Sequence, residues 1–78
     1  MIYYIKLITT NQLISLINSH YKGFTIHYTR NPKFAIPFSS INSAQSTLDN
    51  AVLPDSRAAY QIITEEQAIQ YYIQNKKQ

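Results

Sequence analysis

The side chains with which this chain could do chemistry are two histidines, four carboxylates, and Ser, Thr and Tyr in number. A metal site needs three or four ligands at close spacing, and neither His20 nor His27 has a further His or carboxylate at such a distance along the chain. Asp49 and Asp55 flank a turn six residues apart, a spacing that does not by itself make them an acid–base pair. No Ser-His-Asp arrangement emerges from the spacing. With no cysteine, disulfides, thiolate nucleophiles and Cys-ligated zinc are all excluded. These residues argue against an enzyme, a metal or any other cofactor. What they leave is binding, and the candidates are Tyr4 and Lys6 in "IYYIKL" with Arg30 and Lys33 in "RNPK".

The charge map sharpens those candidates. Of the net +3, Lys6, Lys22, Arg30 and Lys33 lie in the first 48 residues, which hold no Asp or Glu. Asp49, Asp55, Glu65 and Glu66 all follow, and Lys76 and Lys77 close the chain. A basic first half suits phosphates or an acidic protein surface. The N-terminus has no charged-then-apolar layout of a secretory signal, and no apolar run nears the ~20 residues that span a bilayer. Together with the lack of cysteine, this leads us to expect a soluble, intracellular protein of the cytoplasm. At 78 residues we expect one domain, 1–78, on a single core.

The elements that must position these residues follow from periodicity. Residues 2–8, rich in Ile and Tyr, read as a strand. Thr9-Thr-Asn-Gln12 is a capping-box pattern, and Leu13, Leu16, Ile17 and His20 or Tyr21 then recur at helical spacing. That helix is expected to stop at Gly23, a residue suited to a left-handed cap. Residues 24–30 alternate, with Phe24, Ile26 and Tyr28 on one face. "NPK" is a turn, and Phe34, Ile36 and Phe38 alternate again as the second arm of a hairpin, ending or lying at an edge because of Pro37. A second helix starts at Ser39 or Ser40 with Ile41, Ala44, Leu48 and Ala51 on one stripe. Leu53 to Arg57 form a turn, and residues 58–64 a fourth strand. Thr64-Glu-Glu-Gln67 is a capping box for a last helix, with Glu65 and Glu66 at its positive end and Lys76 and Lys77 at its negative end. Ala68, Ile69, Tyr72 and Ile73 form its apolar stripe, which leaves Tyr71 at the rim.

The succession β-α-β-β-α-β with a C-terminal helix implies an α+β, ferredoxin-like plait: a four-stranded antiparallel sheet with two helices on one face. The last helix has three places open to it: the free sheet face, the sheet edge, or a dimer interface.

Over residues 2–63 the succession resembles RNA-recognition motif domains. "IYYIKL" is similar to the signature of that family's first strand, and "KFAIPF" stands where the third-strand signature falls. Lys33 is followed directly by Phe34, where the family has a glycine. The resemblance implies Tyr3 as a base-stacking residue, with Phe34 or Phe38 as its counterpart. It also implies Ile2, Tyr4 and Ile8 on the core side. The cost of burying Lys6 favours the opposite parity, with Tyr3, Ile5 and Leu7 in the core and Tyr4 and Lys6 outward.

By size and class alone, the chain also resembles the small anti-CRISPR proteins of phages and mobile elements. That resemblance implies a non-catalytic inhibitor that binds a host nucleoprotein complex such as a CRISPR-Cas effector, through Tyr4, Lys6, Arg30 and Lys33, as a monomer or a homodimer. Binding of single-stranded RNA or DNA on an open sheet face is the alternative.

Overall fold

The computed structural model describes residues 1–21, 23–52 and 54–76, with His20, Asn75 and Lys76 given by their backbone alone. Expectations resting on Lys22, on Leu53, on the His20 side chain, and on Lys76 and Lys77 at the helix end lie outside the described residues. The elements are β1 (Tyr3–Leu7), β2 (Gln12–His20), β3 (Gly23–Thr29), a 3-10 turn (Pro32–Phe34), α1 (Ile41–Ala51), a second 3-10 stretch (Pro54–Ala59), β4 (Tyr60–Thr64) and α2 (Glu65–Lys76). The fold is α+β, with one antiparallel sheet of strand order β3-β2-β1-β4.

The succession of elements departs from the plait at two segments. Residues 12–20 form a strand, not a helix. Leu13 and Ile14 are both buried, on opposite faces, and the register shifts between Ile14 and Leu16, so Ser15 is the extra residue of a bulge. A bulge breaks the two-residue period of a strand. Here it places Leu13, Leu16 and Ile17 at the spacing of a helical stripe. The Thr9–Gln12 pattern serves a turn: Asn11 N donates to Leu7 O at 2.9 Å, and Gln12 N to the Thr10 hydroxyl at 3.3 Å. Asn11 takes a positive φ of 58°, which Asn tolerates better than most residues. Gly23 also has a positive φ, 125°, but it opens β3 after the hairpin loop and caps no helix.

The second departure is "KFAIPF". Phe34 ends the 3-10 turn, capped by Asn31 Oδ1, which accepts from Lys33 N at 3.0 Å. Residues 35–38 then form a wedge. β2 pairs with β1 only at Lys6↔Leu13 and Leu7↔Gln12, then splays away beyond the bulge. Ile36 N donates to Ile14 O at 3.0 Å, and Phe38 exchanges two backbone bonds with Tyr3, at 2.8 and 2.9 Å. The wedge thus satisfies backbone groups that the splay would leave bare. The outer part of the β2–β3 ribbon projects, in keeping with a longest dimension of 39 Å against 25 and 21 Å.

The remaining elements follow the sequence reading closely. Ser40 Oγ accepts from Ser43 N at 3.1 Å to start α1, whose Ala44 and Leu48 are buried while Ile41 stays outside. Thr64 and Gln67 make the reciprocal capping box of α2, with bonds of 3.1 and 3.2 Å. Arg57 finishes α1, donating to Asp49 O at 2.7 Å and Val52 O at 3.1 Å, carbonyls of the last turn that have no partner within the helix.

One helix covers each face of the sheet. α1 packs with Ile5, Ile14, Phe38 and Val52 on one side; Tyr4, Leu13, Ala35, Ile63 and Ala68 form a second core beneath α2. β1 is therefore buried on both faces, and Tyr4 and Lys6 are not outward: they are 5% and 4% exposed. Each parity expected for β1 turns one set of residues outward; α2 takes that outward face, one of the three places open to it, and buries it. On the α1 side the sheet curls enough for Tyr28 of β3 and Tyr60 of β4, on opposite edge strands, to share a 2.6 Å hydroxyl–hydroxyl bond.

Candidate functional site: a cleft between α2 and the 3-10 turn

The stripe of α2 does not lie where periodicity alone puts it. Ala68 and Tyr71 turn toward the sheet, while Ile69 is 44% exposed and Ile73 lies outside with it. Tyr71 faces inward because Lys6 is there: the Lys6 ammonium lies 4.0 Å from the centre of its ring and donates to Asn11 Oδ1 at 3.0 Å. A cation held against a ring face and one amide oxygen is tolerated inside a protein at less cost than a bare one.

Rotating Ile69 outward opens a cleft of about 700 Å³ between the start of α2, the N-terminal end of β1 and the segment 31–37. Ile2, Pro32, Pro37 and Ile69 supply apolar walls, and Tyr4 and Ala35 lie deeper. Lys33 stands on the 3-10 side and Glu65 on the α2 side, so the two walls carry opposite charges. Asn31 ties the walls together: its side-chain amide donates to the Tyr72 hydroxyl at 3.4 Å while its oxygen caps the 3-10 turn. Burial, and then the Glu65 carboxylate, raise the Tyr4 phenol above its usual pKa, so it stays protonated and able to donate.

Of the four residues expected to bind a partner, the structure brings Tyr4 and Lys33 together in this cleft. Arg30 is exposed just before Asn31 but does not line it, and Lys6 is sealed beneath α2. Sequence reasoning missed Ile2, Glu65 and Ile69 as lining residues. Ile69 carried a signal for the core, because helical spacing cannot tell which of two adjacent stripes meets the sheet. No group of three His, Asp or Glu gathers among the described residues. None of their helices is long and apolar enough to cross a membrane. The cleft offers apolar surface, one cation, one anion and a phenol donor. No protein family, curated protein or solved structure matches this chain.

Proposed function

We propose that this is a non-catalytic binding protein of the phage or mobile-element inhibitor type, which acts by docking on a host nucleoprotein complex, a CRISPR-Cas effector being the leading candidate. The observation that carries the reading is Ile69. A 78-residue chain leaves a large aliphatic side chain exposed beside Ile2 and Pro37, in a cleft rimmed by Lys33, while it buries a lysine elsewhere. Apolar groups clustered within a charged rim are the surface expected of a protein-binding site. Arg30 and Lys33 add attraction to the phosphates or acidic side chains of such a complex. The single-stranded nucleic-acid reading has less support, because α2 covers Tyr4 and Lys6; of the residues expected to serve it, Arg30, Lys33 and Phe34 stay exposed or at the cleft rim.

The test is a panel of purified CRISPR-Cas effector complexes assayed for binding and for target cleavage. We expect one complex to be bound and inhibited, Ile69→Glu to abolish both effects, and Lys33→Glu to weaken them. Failure to bind any effector overturns the assignment. Tight, steeply salt-dependent binding to a bare oligonucleotide would favour the alternative.

A further inference from the structure

β3 is the longer of the two edge strands, seven residues against five in β4, and among the described residues β2 is its neighbour in the sheet. Every second residue of such a strand turns its N–H and C=O away from the sheet. Natural edges are guarded by Pro, by charge, by a bulge or by shortness. "GFTIHYT" has no Pro and no Lys, Arg, Asp or Glu, and the Ser15 bulge lies on the inner strand β2. Two residues separate the closing pair His20↔Gly23, and a loop that short closes on a hydrogen-bonded pair. By alternation, Gly23, Thr25 and His27 bond back to β2, and Phe24, Ile26 and Tyr28 point their backbone groups outward.

The strand is self-complementary about Ile26. Antiparallel pairing across a twofold axis there sets Ile26 against the second copy's Ile26, Phe24 against its Tyr28, and Thr25 against its His27. One face of the new ladder is then aromatic and β-branched, pairings that strengthen a sheet, and the other is polar with no like charges opposed. The outward-pointing residues are the ones this register joins by hydrogen bonds, so side-chain pairing and backbone geometry agree. Phe24 is already half-exposed at this edge.

We propose that β3 is a homodimerisation edge, along which two copies pair antiparallel about Ile26 and join two four-stranded sheets into one of eight. The contact is isologous, as a twofold dimer requires. A seven-residue ladder is small for a specific interface, so the dimer forms with concentration, half-associated on the order of tens of micromolar. No β3 residue lines the α2 cleft, so this edge stands or falls apart from the function proposed for that cleft.

Sedimentation of the unmodified chain from about 1 μM to about 1 mM, a range chosen to bracket that midpoint, is expected to show a monomer–dimer equilibrium. Because the chain has no cysteine, cross-links then fix the register. An equal mixture of Thr25→Cys and His27→Cys chains is expected to form disulfide dimers about tenfold faster than either variant alone. Directly opposed residues lie within disulfide reach, whereas each single variant faces its own copy too far away. A chain that stays monomeric throughout overturns the proposal, whether or not a strand of another protein adds to the edge. A dimer in which mixture and single variants cross-link equally also overturns it and points to Ile69 and Ile73 of α2.

Discussion

At the scale of single residues, the molecule spends its polar groups in unusual places. Lys6 is buried without a carboxylate among its described contacts, and its ammonium is shared between the Asn11 oxygen and the Tyr71 ring. Burying a charge rarely adds net stability, but stripping away its partner is costly. Tyr71→Ala is therefore expected to lower unfolding free energy by about 2 kcal/mol, and Lys6→Met by less than about 1 kcal/mol. In urea titrations of the two single variants and the double, the losses should fall short of additive; full additivity would show that ring and cation do not interact. Tyr28 makes a second residue-scale prediction. Burial first, then the bond to Tyr60, pushes its phenol up to about 12, from an ordinary value near 10. The folded state therefore holds this proton more tightly than the unfolded chain. The resulting stabilisation is complete below about pH 10 and fades as pH rises toward 12. Tyr28→Phe should unfold more easily at neutral pH and lose less additional stability between pH 10 and 12 than the parent. Equal slopes of stability against pH in the two proteins would contradict the assignment.

At the scale of elements, legibility depended on how many constraints each segment obeyed at once. α1 and α2 were readable because a side-chain cap and a stripe agreed: Ser40 and Thr64 do what their positions promise. β1 and β4 were readable from composition. β2 was not, because a strand that buries adjacent residues Leu13 and Ile14 on opposite faces and is then interrupted by a bulge has no simple period, and its Leu and Ile fall by chance at helical spacing. The site was illegible for another reason: Tyr4 and Lys6 are expected outward, but α2 takes the free sheet face, one of the three places open to it, and lies across them. The strand and helix readings also make opposite claims about two neighbours. In a helix Leu16 belongs to the buried stripe and Ile14 lies beside it; in β2 Ile14 is 1% exposed and Leu16 46%. Ile14→Ala should cost about 3 kcal/mol and Leu16→Ala less than about 1 kcal/mol by chemical denaturation. The reverse ranking would restore the helix. The turn has its own signature: a Cβ on Gly23 would touch nothing within 4 Å, so the cost of Gly23→Ala, about 1 kcal/mol, comes from its φ of 125° alone.

At the scale of the whole molecule, two small cores share one sheet, and neither can be lost alone. The α2-side core buries Tyr4, Leu13 and Ile63 under a helix whose own inward contribution is mainly Ala68 and Tyr71. Burying a large apolar side chain contributes roughly 2 kcal/mol, so exposing those three would cost about 6 kcal/mol. A small domain has about 5–15 kcal/mol in all. Removing α2 also frees Lys6 and deletes the Glu65 N bond to Ile2 O, which fixes the start of β1. A chain ending at Thr64 still contains every strand and α1, so loss of secondary structure is not the expected result. Instead it should keep much of its far-ultraviolet circular dichroism, bind a hydrophobic dye, and unfold without a cooperative transition. The cleft would vanish with it, because Glu65, Ile69 and Tyr72 form its α2 wall. A truncated chain that still melted sharply would show that the α1-side core suffices, and that α2 is an appendage carrying the binding surface.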